Sequence, residues 1–301
     1  MLFRSKGDKA LSFFIMSVLA VFFVIVSYPL WFVLIASISN PSLVALNKIW
    51  LYPREIMFEG YANVFKNNDI WIGYGNSFFY AFFGTVINLA ATLTCAFCMA
   101  RKPDFKGKNF VLVMLVFTMY FSGGLIPSYI LIRNLGMLDT RAVLIIPGAL
   151  SVYHMIVART FFQNTIPDSL YESAKIEGCG DIRMYTQITL PLSKAIVAVL
   201  TLFFVVGHWN AFFSALIYVQ SLNKQPLQLV LRRILILGEV MANMGMSSMR
   251  AEEMEYWVQR QAMAESMKYA VIYIASLPLL IAYPFVQKYF VQGVMIGAIK
   301  G

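Results

Sequence analysis

The chain has 301 residues, of which 59% are hydrophobic and 13% are charged, and its formal net charge is +9 at pH 7. This composition lies outside the range of soluble globular domains and indicates a membrane protein. The basic residues are scattered at the ends of apolar segments, which argues against a nucleic-acid-binding patch. The three cysteines give no disulfide framework. Cys95 and Cys98 form a C-x-x-C pattern inside an apolar segment, so we expect them to be small packing residues.

Six apolar segments are long enough to cross a bilayer as helices. They cover residues 11–38, 75–100, 109–132, 142–163, 193–219 and 268–290. A single segment of this kind must be helical, because unpaired backbone groups cost several kcal/mol in hydrocarbon. The first segment is too long for a signal peptide and lacks a small-x-small cleavage site, so we expect a retained helix. The sequence therefore predicts an all-α, polytopic membrane protein, with one domain over residues 1–301 and six transmembrane helices.

The distribution of basic residues predicts which loops face the cytoplasm. Taken together, the N-terminal segment, the loop 101–108, the region 159–194 and the C-terminal tail hold 13 Lys and Arg against six Asp and Glu. The loop 101–108, R-K-P-D-F-K-G-K, is the clearest case, and the positive-inside rule assigns it to the cytoplasm. We therefore expect both termini and the loop 164–192 to be cytoplasmic, and the loop 220–267 to be extracellular.

The two long external loops differ in character. Residues 40–74 carry prolines, aromatic residues and mixed charge, so we expect them not to re-enter the bilayer. After Pro226, apolar residues recur at helical spacing and predict an amphipathic helix at the membrane surface or against a partner subunit. They are Leu227, Val230, Leu231, Ile234 and Leu237. Methionines then follow at Met241, Met244, Met246, Met249 and Met254. These features fit docking or substrate contact, and they fit ordinary packing beneath a lid equally well.

The loop 164–192 contains residues that typically begin and end a short helix. Pro167 ends the preceding segment, and either Asp168 or Ser169 can cap a new helix by accepting hydrogen bonds from its first free N–H groups. Gly178 occupies the position at which a left-handed residue ends a helix. The sequence therefore predicts a short helix over Asp168–Glu177. On it, Leu170, Ala174 and Glu177 share one face by their spacing, and this narrow face suits docking.

The motifs of nucleotide-binding and hydrolytic enzymes are missing from the sequence. It contains no G-x-x-x-x-G-K-[ST] and no G-x-S-x-G, so neither a P-loop nor a nucleophile elbow is expected. The two histidines, His154 and His208, lie in different predicted spans, and no Cys–His pattern with metal-ligand spacing occurs. We therefore expect no enzymatic activity, no metal and no cofactor in this chain.

Polar residues inside the predicted spans should face the interior of the bundle, because exposing them to lipid is costly. We expect Asn76 and Asn88 to form hydrogen bonds between helices. Asn210 follows Trp209, and this pair offers an aromatic face for a sugar ring and an amide for its hydroxyls. These two residues and His154 fit a substrate path, and they also fit interhelical bonding alone. Carboxylates are almost absent from the spans, which argues against a carrier driven by protons or sodium.

The loop 164–192 carries a signature that identifies a family. Its positions are Glu172, Ser173, Ala174, Gly178, Ile188, Leu190 and Pro191. They resemble the E-A-A, three residues, G, nine residues, I-x-L-P pattern of the membrane subunits of binding-protein-dependent ABC importers, with Ser173 where alanine is usual. Other stretches resemble the maltose-type carbohydrate permeases, and among them the LplC-like branch. These are F-S-G-G-L-I-P at 121–127, L-G-M-L-D-T at 135–140, W-N at 209–210, and the ending K-Y-F-V-Q-G-V-M-I-G-A-I-K-G from Lys288.

The resemblance implies the ABC importer permease fold in a bacterial inner or plasma membrane. It also implies a heterodimer with a second permease subunit, two ATPase subunits that bind ATP and Mg, and an extracellular solute-binding protein. This protein would deliver a carbohydrate, and we expect an oligosaccharide. The ATPase-coupling residues would be Leu170, Glu172, Ser173, Ala174, Glu177, Gly178 and Asp181. Glu172 would pair with a basic residue of the ATPase. The substrate path would include His154, Trp209 and Asn210.

Three other functions stay open from the sequence alone. An importer of this kind can carry a non-sugar solute, such as a peptide or a lipid-linked compound. A channel or exporter subunit would not need the signature between Glu172 and Pro191. A membrane-embedded enzyme is disfavoured, because the sequence shows no nucleophile, metal or acid–base set.

Overall fold

The computed structural model of the chain describes residues 6–101, 106–243, 267–282 and 284. All regular structure in these ranges is helical, in agreement with the predicted all-α class. The residues divide into two compact units. One contains Met1–Asn68 and Leu231–Leu277, and the other contains Asp69–Val230 and Pro278–Gly301.

The first unit is built on one long helix, α1 (Lys6–Ser37), followed by α2 (Pro41–Ala45) and α3 (Glu59–Lys66). Side chains on α1 are exposed within the chain, among them Phe13 at 76% and Phe23 at 72%. A helix that is apolar on all sides and exposed in the described part of the chain has the properties of a membrane-spanning helix facing lipid or a partner. Only its last turns are buried, in a small cluster of Ile35, Ala36, Val44 and Ile49.

The segment after α1 folds back along the end of this helix. The indole N–H of Trp31 donates to the carbonyl of Leu51 at 2.9 Å, and the backbone N–H of Arg54 donates to the hydroxyl of Ser39 at 3.3 Å. Trp31 lies six residues before the last residue of α1, which corresponds to about 9 Å along the helix. The loop therefore descends beside the helix, with its polar backbone tied to α1.

The second unit begins with α4 (Asn68–Arg101), a continuous helix of 34 residues. It is followed by α5 (Lys108–Tyr120) and α6 (Leu125–Asn134), whose axes are bent by 115°. The sequence predicted one span over 109–132, but the chain breaks at F-S-G-G, where Phe121 is extended and Gly124 has φ of 83°. Residues without a Cβ are the ones that tolerate such a backbone, so the break is built into this motif.

The rest of the second unit consists of shorter helices. A 3₁₀ turn (Arg141–Leu144) precedes α7 (Val152–Thr165) and α8 (Asp168–Ile176). An irregular helix, Asp181–Leu192, then leads into α11 (Lys194–Trp209) with a bend of 84°. This irregular helix consists of α9 (Asp181–Arg183), a π-helical turn (Met184–Thr189) and α10 (Leu190–Leu192). The chain continues through α12 (Phe213–Tyr218) to α13 (Leu227–Asn243).

The six predicted spans are only partly visible as long helices. Among the described residues, α1 and α4 are long and apolar enough to cross a membrane, and the number reaches four when each bent pair is counted as one span. At 14 residues, α7 extends about 21 Å, which is less than the hydrocarbon core of about 30 Å. The sixth predicted span begins as α14 (Met267–Ala282), and most of its remainder lies outside the described residues.

The amphipathic helix predicted after Pro226 is present as α13. Leu227 and Val230, at the start of its predicted apolar stripe, are 1% and 3% exposed. The side chains of Leu237 and Met241 lie outside the described residues. The later methionines, Met244, Met246, Met249 and Met254, and the ending from Lys288 lie outside them too.

One hydrophobic core joins α4, α7, α8 and α11 in the second unit. Ala96, Met155, Ala158 and Phe162 are fully buried in it, and Leu200 is 1% exposed. Small residues let the helix backbones approach closely, as is typical of membrane helix interfaces. This core forms the base on which α8 is held.

Candidate functional site

The short helix predicted in the loop 164–192 is present as α8. It begins at Asp168, and the residue before it, Pro167, has an extended backbone with φ of −62° and makes no side-chain cap bond. The prediction that Asp168 or Ser169 caps the helix is therefore wrong. The Asp168 carboxylate forms an ion pair with the guanidinium of Arg101 instead. A proline is tolerated just before a first turn, because it lacks the N–H that would have no helical partner there.

The end of α8 is a complete Schellman motif centred on Gly178. The N–H of Gly178 donates to the carbonyl of Lys175 at 3.0 Å, and the N–H of Cys179 donates to the carbonyl of Ala174 at 2.8 Å. Gly178 has φ of 74°, in the left-handed region. The predicted role of Gly178 as the residue that ends the helix is confirmed.

The exposure of α8 divides the predicted coupling residues into two groups. Most of them are exposed to solvent: Leu170, Glu172, Ser173, Glu177, Gly178 and Asp181. Ala174 is 8% exposed and packs inward together with Tyr171, at 6%. Leu170 and Ala174 therefore do not form one outward face, because the small residue is needed for packing of α8 onto the core.

Exposed isoleucines add to this surface. Ile176 is 88% exposed and Ile182 is 81% exposed, and they flank the turn at Gly178. Leu170 is exposed as well, so α8 and the turn that follows it carry exposed apolar side chains among the carboxylates of Glu172 and Glu177. Sequence reasoning missed both isoleucines, although an isoleucine in an otherwise polar loop was the available signal.

Trp209 and Asn210 differ in accessibility at the end of α11. Trp209 is 2% exposed, and its ring centroid lies 5.2 Å from that of Phe78 and 6.0 Å from that of Tyr74. It therefore offers no free face to a sugar in this conformation. Asn210 is exposed at the helix terminus, where its backbone N–H donates to Val206. Phe78, whose ring contacts that of Trp209, is 54% exposed.

His154 lies at the start of α7. Its Nδ1 is 2.8 Å from the hydroxyl of Ser151, and its ring packs against Phe203 and Phe204 with centroids 5.3 and 5.0 Å away. These phenylalanines precede Trp209 on α11 by one to two turns. His154 therefore contacts an earlier part of α11 and is not brought together with the Trp209–Asn210 pair.

Asn88 joins three elements of the second unit. Its amide donates to the carbonyls of Gly148 at 2.5 Å and Ala149 at 3.1 Å, and its Oδ1 lies 2.6 Å from Nε2 of His208. A Cβ added to Gly84 would meet the ring of His208, so a larger residue there would have to displace that side chain. The interhelical bonding predicted for Asn88 is confirmed.

Asn76 plays the same part nearer the start of α4. Its amide donates to the carbonyls of Asn223 at 2.8 Å and Gln225 at 3.0 Å, and its Oδ1 accepts from Arg141 at 3.1 Å. Two carbonyls of the segment before α13 are thus satisfied by one buried side chain. Asn76 is thus hydrogen-bonded inside the unit, but to a loop segment and a 3₁₀ turn rather than to another α-helix as predicted.

A second polar cluster holds the same segment through Asp139, in the L-G-M-L-D-T stretch. Its Oδ1 accepts from the backbone N–H groups of Gln220 at 3.0 Å and Ser221 at 2.9 Å, and its Oδ2 lies 3.1 Å from Nζ of Lys224. Hydrogen bonds from Ser221, first from its hydroxyl and then from its backbone, hold the pKa of Asp139 well below its usual range. Sequence reasoning missed this cluster, since its partners are about eighty residues apart.

A cavity of about 620 Å³ lies beside α4 and α11, near the irregular helix that precedes α11. Its lining is mostly apolar, with Leu89, Leu93 and Val197 as typical members. Its polar members are Thr94, Tyr185 and Lys194. So few polar groups do not match the many hydroxyls of a sugar, and the cavity is not assigned to the substrate path.

No family model matches the chain. It is 38% identical over 273 residues to the protein LplC of Bacillus subtilis (strain 168), covering 91% of this chain and 89% of the relative. It is 34% identical over 283 residues to the polygalacturonan/rhamnogalacturonan transport system permease protein YtcP of the same organism, covering 94% and 96%.

A solved structure has the same fold. With a TM-score of 0.83 and 28% identity, the chain matches a chain in the crystal structure of a bacterial ABC transporter involved in the import of the acidic polysaccharide alginate. The match covers 96% of this chain and all of the other. These proteins are membrane-embedded transport components rather than enzymes. The chain belongs to the family of permease subunits of carbohydrate ABC importers, within the LplC-like branch.

Proposed function

We propose that the chain crosses the bacterial plasma membrane six times, with both termini and the loop 164–192 in the cytoplasm. It forms the translocation path together with a different permease subunit, and two ATPase subunits and an extracellular binding protein complete the importer. The six apolar segments and the basic cytoplasmic loops support this topology. The bent pairs and the shorter helices are treated as broken spans whose backbone is covered by neighbouring helices or subunits.

The observation that carries the proposal is the presentation of α8. Its inner face, Tyr171 and Ala174, is buried in the core, whereas Glu172, Ile176 and Glu177 are exposed. A helix held on one side and open on the other can transmit a displacement imposed by a partner. We assign the open side to the ATPase, with Ile176 and Ile182 as apolar contacts and Glu172 as the partner of a basic residue.

The substrate we propose is an oligosaccharide that carries carboxylates. Support comes from similarity to a polygalacturonan/rhamnogalacturonan permease and to an alginate importer, because uronic acids make up polygalacturonan and alginate is an acidic polysaccharide. Asn210 and the exposed ring of Phe78 are the groups proposed to meet the sugar on this subunit. The buried position of Trp209 makes it a support for Phe78 rather than a contact.

Reconstitution of the complete transporter in liposomes tests the function. The chain, its second permease, the ATPases and the binding protein are combined, and uptake of labelled oligogalacturonides is compared with uptake of a neutral oligosaccharide of equal length. The proposal predicts ATP-dependent uptake of the acidic sugar that requires the binding protein. Uptake restricted to the neutral sugar would refute the substrate class, and efflux or ATP-independent flux would refute the importer.

A further inference from the structure

Arg101, the last residue of α4, is buried at the junction between the membrane core and the loop 164–192. Its side chain is 7% exposed, although the Asp168 side chain that it contacts is 83% exposed. The guanidinium donates to the Asp168 carboxylate and to the carbonyls of Phe162 and Ile166, the last of these at 2.5 Å. Both carbonyls belong to the end of α7, where helical partners are missing.

One side chain therefore joins three helices. The Arg101 guanidinium binds the end of α7 and the first residue of α8, and the backbone of Arg101 is the last residue of α4. A positive group at a helix C-terminus and a negative group at a helix N-terminus are both favourable, so the ion pair between Arg101 and Asp168 stabilises both helix ends. The fork of N–H groups on arginine is what allows several acceptors to be bound together.

The contact continues from Arg101 to the helix that enters α11. The centre of the guanidinium lies 4.3 Å from the ring centroid of Tyr171, a cation–π contact. The Tyr171 hydroxyl lies 2.9 Å from the hydroxyl of Thr189, and this bond is buried. Thr189 is the last residue of the π-helical turn between α9 and α10. π-helical turns are frequent at functional positions, where they alter the direction of a helix.

We propose that Arg101 is a positioning residue that couples α8 to α4. A displacement of α8 would then move α4 together with α7 and α11. This inference rests on the proposed contact between α8 and the ATPase, and it extends that contact to a helix that the signature of the loop does not include. The packing of α4 on α7 does not depend on Arg101, because Ala96, Ala158 and Phe162 are fully buried between these helices. Loss of Arg101 should therefore free α8 from α4 while the bundle stays assembled.

The test uses the complete transporter in liposomes and measures sugar imported per ATP hydrolysed. Arg101→Met leaves the acceptors on α7 and α8 without this donor, and we expect the ratio to fall by about fivefold or more. Arg159→Met is the matched control, because it makes the same chemical change at an arginine of α7. Arg159 donates through Nε to the carbonyl of Met99 at 3.2 Å, so this bond joins α7 to α4 rather than to α8. The control should keep the wild-type ratio. Arg101→Lys should remain impaired, because an ammonium cannot reproduce the planar fork or its stacking.

Two further variants keep the test decisive if Arg101→Met does not assemble. Asp168→Asn removes the ion pair alone, and Tyr171→Phe removes the hydroxyl bond to Thr189 while the ring stays beneath the guanidinium. Each is expected to lower the ratio by less than Arg101→Met, without lowering the amount of assembled complex.

The proposal fails if Arg101→Met, or both milder variants, import as much sugar per ATP as the wild type. It also fails if Arg101→Lys is fully active, since charge without geometry would then suffice. Gly178→Asp separates this failure from failure of the proposed function. If Gly178→Asp uncouples the ATPase but the Arg101 variants do not, only the role of Arg101 is refuted. If Gly178→Asp has no effect either, the assignment of α8 to the ATPase is wrong.

Discussion

Replacing Gly178 tests whether the turn that ends α8 is required for coupling. The residue has φ of 74° and open space around it, with no heavy atom within 4 Å of a Cβ built there. A substituted side chain therefore causes no clash in the described part of the chain, and the cost lies in the backbone. A residue with a Cβ in the left-handed region is less stable than glycine by about 1–2 kcal/mol.

This cost acts on the two hydrogen bonds of the Schellman motif. A change of about 1–2 kcal/mol lowers the population of the intact turn about 5- to 30-fold relative to open conformations. Gly178→Ala applies the backbone strain alone, and Gly178→Asp adds a carboxylate beside the exposed Glu177. We expect the aspartate to be the more harmful at the ATPase surface, although aspartate tolerates the left-handed region better than alanine does.

Gly180 provides the matched control. It is exposed, has φ of −74° and also has no atom within 4 Å of an added Cβ, so Gly180→Ala and Gly180→Asp make the same chemical changes without strain. The assay is ATP hydrolysis by the reconstituted transporter with and without sugar-loaded binding protein. Stimulation should fall several-fold in the Gly178 variants and stay within about twofold of the wild type in the Gly180 variants. Equal effects at the two positions would refute the reasoning from backbone strain.

Two other predictions concern the second unit. Gly84→Ala should lower the free energy of unfolding by about 1–3 kcal/mol, because the added methyl group displaces His208. Gly75→Ala is the control, since no heavy atom lies within 4 Å of a Cβ added at Gly75. Thermal unfolding in detergent compares the two variants. Asp139→Asn should increase amide hydrogen exchange at Ser221. The pKa of Asp139 is lower in the folded protein than its unfolded value of about 4. The carboxylate therefore stabilises the fold above about pH 4, and this stabilisation is lost as the pH falls through the folded pKa. Amide exchange rates of the wild type and the variant should converge only in strong acid. Convergence already at pH 6 would contradict this sign.

The features that were predictable from sequence are those determined by local chemistry. A glycine directly after a short polar helix predicts a left-handed residue that ends the helix, and Gly178 forms a Schellman motif. The long apolar runs predicted helices, and α1 and α4 formed them without interruption. Both kinds of feature depend on neighbours within a few residues, which a single sequence displays directly.

The features that escaped prediction depend on distant partners. Asp168 has a short polar side chain suited to an N-cap, but Arg101, 67 residues earlier, takes its carboxylate. Ala174 has a size suited to a docking face, but the core of α4 and α7 requires a small residue at that place. The break at Gly124 was masked by high hydropathy on both sides, because an apolar average is insensitive to one left-handed residue.

The most direct measurement of the central claim places a photo-activated crosslinking amino acid at Ile176 in the intact transporter. Ile176 is 88% exposed and lies on the open side of α8. We predict that it crosslinks to an ATPase subunit, whereas the same probe at Phe13, on the exposed surface of α1, does not. Crosslinking of position 176 to the binding protein, or to lipid alone in a complex that hydrolyses ATP and imports sugar, would contradict the account.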